Sequence, residues 1–243
     1  MKLIFVRHGE PCKDHYGISD MGVKEMELLA EYFMSNFKID EIYSASSLRA
    51  TESAERLKRF LGKKIITYPW LSEFKYRILI AKGNGMFPWE LPPEYWIDNS
   101  KMLDYQEVLK TSLFSNSEVV DKTEEVWREI DKILNLNGYE RKGNLYVVHK
   151  PTMKEIVIVT HFATMAIIMA HLMNVSILIT LNLLFMAPSS YTVFASEEIN
   201  EGKCIFRCLE LGSTKHLFGN NELKSEYGRQ DEVKKAKERK DGK

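Results

Sequence analysis

Short apolar runs along the chain alternate with longer segments in which apolar residues recur every three or four positions. Runs of the first kind predict β-strands, and the periodic segments predict amphipathic helices. Strands are predicted at Lys2 to Val6, Ile39 to Tyr43, Lys63 to Tyr68, Glu155 to Thr160, Tyr191 to Ala195 and Cys204 to Leu209. Most neighbouring strands are separated by a segment long enough to hold a helix.

The predicted helices lie between these strands. The first begins at Ser19 or Asp20, because the side-chain oxygen of either residue can cap a helix. The apolar positions that share its inward face are Met26, Leu29, Ala30, Phe33 and Phe37. Further helices are predicted with Ala50, Ala54, Leu57 and Leu61 on one face, over Glu118 to Leu136, and from Phe162 to Met173.

Strands that alternate with helices favour an α/β fold, in which a mostly parallel central sheet carries helices on both faces. Ligands of such folds bind beyond the carboxyl ends of the strands. Residues 74–117 break the alternation with glycines, prolines and aromatic residues, and we predict an inserted cap segment there. We therefore expect one domain over residues 1–221, followed by a charged and solvated tail over residues 222–243.

Composition and charge narrow the classes of partner. The 243 residues include 34 basic and 34 acidic ones, so the chain has no overall positive field for binding nucleic acid. The three cysteines form no CxxC pair, which favours a reducing compartment and the cytoplasm. Residues 156–196 carry no charge, but polar residues and Pro188 interrupt them, so we expect a buried strand and helix and no membrane span. The sequence leaves the oligomeric state open.

Four predicted strand ends each carry one residue suited to phosphate chemistry. Arg7 and His8 end the first strand, Arg49 stands in the first turn of the helix after the second, Glu73 follows the third, and His161 ends the fourth. Taken alone, each of these residues could have an ordinary structural role. A helical arginine can pair with nearby glutamates, a lone histidine is more often structural than catalytic, and a loop glutamate is usually solvated. Their combination at one edge of a sheet supplies fixed cations, a nucleophile and a proton donor.

With these motifs the chain resembles the histidine phosphatase superfamily, whose fold is phosphoglycerate-mutase-like. The resemblance covers about residues 1–217 and rests on Val6 to Glu10, Ser44 to Thr51, Leu71 to Glu73, Val159 to His161 and Lys215 to Leu217. The chain is similar to poorly characterised bacterial members that share Pro88-Trp89 and His161-Phe162. Most members have glycine after the second histidine, so Phe162 departs from the common pattern.

The resemblance implies a role for each motif residue. His8 attacks phosphorus and forms a phosphohistidine, Arg7, Arg49 and His161 hold the phosphoryl oxygens, and Glu73 protonates the leaving alcohol. Residues expected in the substrate pocket are Glu10, Trp89 and Phe162. No cofactor and no metal ion are expected, and the sequence offers no compact Asp, Glu and His cluster that would bind a metal.

These residues indicate a metal-independent phosphomonoesterase that acts on a small phosphorylated metabolite. One alternative is a phosphoglycerate-type mutase, which typically has a Glu-Arg-x-Tyr-Gly signature where this chain reads Glu73-Phe74-Lys75-Tyr76-Arg77. Another is a noncatalytic module that binds a phospho-ligand or a protein on the same fold. The cap segment is either a lid with a leaving-group pocket or, as we favour, an aromatic cap that stays in place.

Overall fold

The computed structural model describes residues 1–79 and 85–219. Its strands, in chain order, are β1 (Lys2–Arg7), β2 (Ile39–Ala45), β3 (Ile65–Tyr68), β4 (Ile78–Leu79), β5 (Gly85–Met86), β6 (Tyr139–Lys142), β7 (Leu145–Val148), β8 (Glu155–Thr160), β9 (Tyr191–Asn200) and β10 (Lys203–Ser213). Within the described residues, eight of them form a central sheet in the order β3-β2-β8-β1-β9-β10-β7-β6, and β4 pairs with β5 alone.

The central sheet has a parallel half and an antiparallel half. Strands β3, β2, β8 and β1 run parallel, which confirms the predicted α/β sheet on the side that carries the motifs. Strands β9, β10, β7 and β6 extend the sheet in antiparallel pairs. Because the parallel strands point the same way, their carboxyl ends lie along one edge.

The helices connect the strands much as the periodicity predicts. They are α1 (Asp20–Asn36), α2 (Leu48–Leu61), α3 (Ser100–Leu103), α4 (Glu107–Lys110), α5 (Ser112–Ser115), α6 (Glu118–Leu136), α7 (Phe162–Met173) and α8 (Ile177–Leu183). Ser19 is the N-cap of α1, since its hydroxyl accepts the Gly22 N–H at 3.1 Å. Gly62 ends α2 at φ 65°, a left-handed conformation that glycine adopts without strain.

The uncharged stretch forms part of the core. Every side chain of β8 is buried, and so is nearly all of α7, which confirms the predicted buried strand and helix. None of the helices in the described part of the chain combines the length and the apolar character that a membrane crossing requires.

The described part of the predicted cap segment is held by contacts within the cap and with the start of α8. Trp96 is 1% exposed, and its indole N–H donates to Leu91 O at 3.3 Å. Ser176 Oγ donates to Met102 O at 2.6 Å, and Tyr105 is also buried. These contacts favour the static form of the cap. The charged tail predicted at 222–243 lies outside the described residues.

Outside the cap segment, two regions of the described chain were not predicted from the sequence. The hairpin of β6 and β7 has four-residue strands, and the first of them reads Tyr-Glu-Arg-Lys, which carries too few apolar residues to stand out. The second is α8, a seven-residue helix within the uncharged stretch. Short elements of this kind give too few turns of periodicity to be recognised.

Candidate active site

The end of β1 places Arg7 and His8 at the carboxyl edge of the parallel strands. Arg7 N–H donates to Ser190 O and His8 N–H donates to Thr160 O, both at 3.0 Å. The His8 carbonyl accepts the Ser189 N–H, also at 3.0 Å. Ser189 adopts φ 57°, an uncommon conformation for a residue other than glycine. The nucleophile candidate is therefore held by the backbones of two neighbouring segments.

The His8 ring is buried, and its two nitrogens differ. Nδ1 lies 2.7 Å from Gly9 O, and a carbonyl oxygen can only accept, so Nδ1 carries the proton. The neutral ring then has its lone pair on Nε2. Burial lowers the pKa of His8 well below its usual range, and the nearby His161 and Arg7 lower it further.

The second predicted histidine lies beside the first. The ring centroids of His8 and His161 are 4.9 Å apart. His161 Nε2 is 2.6 Å from Ser47 Oγ, and its buried Nδ1 has no hydrogen-bond partner among the described residues. Burial, with the charges of Arg49 and Arg7, lowers the pKa of His161 to about 3, so the ring is neutral at pH 7.

Two guanidinium groups face the histidines from different elements. Arg7 is buried, and its Nη1 donates to Met186 O at 2.6 Å. Arg49 is half-buried in the first turn of α2. Both groups lower the pKa of each histidine, and arginine forks are suited to binding two oxygens of a phosphate.

Glu73 reaches the same place from a short 3-10 turn, Pro69–Leu71, after β3. Two hydroxyl groups of the β8 and α7 region hold this turn, since Thr160 Oγ1 donates to Leu71 O at 2.5 Å and Thr164 Oγ1 donates to Ser72 O at 2.6 Å. Glu73 Oε2 is then 3.6 Å from His161 Nδ1.

Glu73 lies beside His161 at the edge of the site. Its side chain is 42% exposed to solvent, yet the surrounding protein still removes water from part of the carboxyl group. That desolvation raises the pKa of Glu73 to about 7, and Arg7 and the Ala163 N–H limit the rise. A carboxyl group with this pKa can donate a proton near neutral pH.

The loop that carries His8 is held from two helices. Gly9 N–H donates to Ser53 Oγ of α2 at 3.1 Å, and Glu10 N–H donates to Glu25 Oε2 of α1 at 2.7 Å. Gly9 also lies so close to α1 that an added Cβ would be 2.7 Å from Gly22 O. Only glycine fits at this approach.

The predicted pocket residues are only partly brought together. A groove of about 530 Å³ lies beside the site and is lined by residues 10–17 and Arg49, so Glu10 belongs to it. The Phe162 ring centroid is 5.9 Å from the Arg7 guanidinium carbon. Trp89 stacks on Phe87 at 4.6 Å within the cap and is not among the residues that line this groove.

Several side chains at the site were missed by the sequence reasoning. Ser47 precedes α2 without making a side-chain cap, and its hydroxyl lies 2.6 Å from His161 Nε2 instead. Ser53 and Glu25 lie on helices, and helical periodicity carries no signal for their contacts with a distant loop. Across residues 1–79 and 85–219, no three His, Cys, Asp or Glu side chains are grouped in a way that could hold a metal ion.

The chain belongs to the histidine phosphatase superfamily, branch 1, whose family model matches residues 3–204. This match includes all four motifs that surround the candidate site. The search of curated proteins gave no match.

Solved structures share the fold at low sequence identity. Phosphoserine phosphatase from Entamoeba histolytica, in complex with 3-phosphoglyceric acid, is 19% identical with a TM-score of 0.58, covering 89% of this chain and 98% of that chain. A mutant of the same enzyme has been solved with phosphoserine, at 19% identity, a TM-score of 0.57 and the same coverage. A mycobacterial glucosyl-3-phosphoglycerate phosphatase is 15% identical with a TM-score of 0.56, covering 87% of this chain and 98% of that one.

Proposed function

We propose that this protein is a phosphomonoesterase that works through a phosphohistidine on His8 and acts on a small phosphorylated metabolite. The observation that carries the proposal is the 2.7 Å hydrogen bond from His8 Nδ1 to Gly9 O. It fixes the tautomer in which Nε2 has a free lone pair, and the lowered pKa of His8 keeps that lone pair available near neutral pH.

In the first step, His8 Nε2 attacks phosphorus. The Nε2–P bond forms while the bond from phosphorus to the leaving oxygen breaks, and Glu73 in its acid form gives its proton to that oxygen. Arg7 and Arg49 bind the nonbridging oxygens, where negative charge accumulates. His161 adds a neutral hydrogen-bonding ring beside them.

In the second step, water attacks the phosphohistidine. The carboxylate of Glu73 takes a proton from this water, the Nε2–P bond breaks, and inorganic phosphate leaves. Glu73 is then protonated again, and His8 returns to its neutral form. A pKa of about 7 suits a group that must act first as acid and then as base.

Two guanidinium groups provide the positive charge in this scheme, so it uses no metal ion and no cofactor. The solved relatives bound to phosphoserine and to 3-phosphoglyceric acid support a small phosphorylated molecule as the substrate class. The free thiols of Cys12, Cys204 and Cys208 support a cytoplasmic location.

The test measures hydrolysis of 4-nitrophenyl phosphate by the wild-type protein and by His8→Ala. We expect release of nitrophenol by the wild type, with or without a chelator, and a loss of at least about 10³-fold in His8→Ala. His149→Ala is the matched control, because His149 is an exposed histidine paired with Glu140 at the surface. Retained activity in His8→Ala would overturn the assignment of the nucleophile.

A second measurement separates hydrolysis from phosphate transfer. With 3-phosphoglycerate as substrate, the proposal predicts release of inorganic phosphate. Migration of the phosphate to the neighbouring hydroxyl, without release, would instead identify a mutase.

A further inference from the structure

One buried carboxyl group near the nucleophile has no part in the proposed mechanism. Glu25 lies on α1 and is 0% exposed. Its Oε2 accepts the Glu10 N–H at 2.7 Å, and its Oε1 is buried without a hydrogen-bond partner among the described residues. A carboxyl group is costly to bury, so a specific contact is needed to explain its position.

A single peptide group links Glu25 to His8. The N–H that Glu25 accepts belongs to the peptide between Gly9 and Glu10, and the C=O of the same peptide accepts His8 Nδ1–H at 2.7 Å. Carboxyl oxygen, peptide and imidazole thus form one continuous chain of hydrogen bonds. Because the peptide bond is conjugated, a strong acceptor on its N–H makes its oxygen a better acceptor in turn.

The start of the helix that carries Glu25 also holds the next peptide of the loop, the one between Glu10 and Pro11. Ser19 N–H, at the start of α1, donates to Glu10 O at 2.8 Å. A Cβ on Gly22 would lie 2.5 Å from that same oxygen, so the loop and the helix are in direct backbone contact. The peptide between Gly9 and Glu10 therefore has little freedom to rotate as long as Glu25 accepts its N–H.

We propose that Glu25 is a positioning residue for the nucleophile, acting on the His8 ring through the peptide between Gly9 and Glu10. It holds the Nδ1-protonated tautomer and aims Nε2 into the site, as a carboxylate does in other histidine relays but with a peptide group in between. The effect on catalysis rests on the proposed function of His8.

The test compares two substitutions that differ in one property. Glu25→Gln keeps the length and an acceptor oxygen, while Glu25→Met keeps the length and removes the acceptor. We expect Glu25→Met to lower kcat by about 10-fold or more with KM within about twofold, and Glu25→Gln to keep most of the wild-type kcat. The matched control is Glu27→Ala, a glutamate of the same helix that pairs with Arg56 at the surface.

A spectroscopic measurement gives a readout that a purely structural role would not change. In wild-type protein labelled with ¹⁵N-histidine, His8 should show the Nδ1-protonated tautomer with a slowly exchanging proton. Glu25→Met should give a mixture of tautomers or faster exchange, while Glu25→Gln should keep the wild-type signal. The Nε2-protonated tautomer in the wild type would overturn the inference even if Glu25→Met does not fold.

Other outcomes separate this inference from the proposed function. Wild-type kcat in Glu25→Met, or an equal loss in both substitutions, would overturn the role of the acceptor oxygen. If the wild type hydrolyses no phosphomonoester but its His8 tautomer depends on Glu25 as described, the proposed function fails and the relay stands.

Discussion

Helix α7 has a polar cluster at each end, and the two clusters use the same types of side chain. His161, Glu73 and two arginines lie at its N-terminal end. His171, Asp131 and Arg141 lie at the other, about 15 Å away for ten residues of helix. Each cluster thus combines a buried histidine with a carboxyl group and a guanidinium.

The two clusters differ in how completely their hydrogen bonds are made. His171 Nε2 lies 2.9 Å from Asp131 Oδ2, and its Nδ1 lies 2.5 Å from Tyr105 OH. Arg141 donates to Tyr105, Tyr146, Asn174 and the His171 carbonyl. Among the described residues, no buried side-chain nitrogen or oxygen of this cluster lacks a partner.

The cluster at the N-terminal end is arranged differently. His161 Nδ1 is buried without a hydrogen-bond partner in the described chain, and Glu73 is partly open to solvent. Polar groups that are all satisfied by one another hold a structure together, whereas groups aimed at a common open space are available to a ligand. Residue type alone would not separate the two sites.

The largest effect expected from this comparison is that of His161→Ala. In the proposed mechanism His161 faces the transferred phosphoryl group, so its removal should lower kcat for 4-nitrophenyl phosphate by about 10²- to 10³-fold. The free energy of unfolding should change little, because among the described residues the ring hydrogen-bonds only to Ser47. Steady-state kinetics and urea denaturation measure both quantities. A kcat within threefold of the wild type would show that His161 takes no part in the reaction.

Glu73→Gln should give a loss that depends on the leaving group. We expect kcat/KM, which reports the step that releases the alcohol, to fall about 10²-fold for an alkyl phosphate, whose oxygen must be protonated, and much less for 4-nitrophenyl phosphate. In the wild type the active form has Glu73 protonated, so the rate with the alkyl phosphate should fall as the pH rises through about 7. The rate of Glu73→Gln with the alkyl phosphate should not fall with pH in this range. Equal losses on both substrates would argue against the acid role.

His171→Ala should act on stability and leave the chemistry unchanged. The substitution removes one hydrogen-bond partner from Asp131 and one from Tyr105, so we expect the free energy of unfolding to fall by about 2 kcal/mol. At a temperature where the variant is folded, its kcat should stay within about twofold of the wild type. A loss of kcat as large as that of His161→Ala would show that the two clusters are not separate in function.

The smallest expected effect concerns the buried carboxyl of Glu25. Burial raises its pKa in the folded protein to about 7, above the ordinary value of 4.5, so its protonated form is favoured by folding. Its contribution to stability is complete below pH 4.5 and is lost as the pH rises to about 7. Glu25→Gln should therefore gain about 1 kcal/mol relative to the wild type between pH 6 and pH 8. A difference in stability that stays constant with pH would contradict this.

Sequence periodicity was sufficient for the parallel half of the sheet and for its helices. The bounds of α6, α7 and β8 match the prediction, because each has a clear apolar pattern and a polar or capped end. The rule that ligands bind beyond the carboxyl ends of parallel strands placed Arg7, His8 and His161 at one edge, whereas the strand order that makes β1 and β8 neighbours was not predicted. The candidate site could therefore be assembled from strand ends.

The supporting contacts could not be predicted in the same way. Glu25 and Ser53 touch the nucleophile loop across long sequence separations, and each occupies an ordinary helical position. The cluster around His171 joins the cap, two helices and a hairpin, so it exists only in the folded chain. Trp89 was expected in the substrate pocket, and in the structure it stacks on Phe87.

The most direct test of the account is to find where the phosphoryl group is attached. In the proposed mechanism Glu73→Gln lacks the base for the second step, so rapid alkaline quenching after mixing with 4-nitrophenyl phosphate should trap the phosphohistidine. Peptide mapping should then place the phosphate on His8, bonded to Nε2, because Nδ1 is held by Gly9 O. Phosphate on Nδ1 of His8, or on any other residue, would contradict the account.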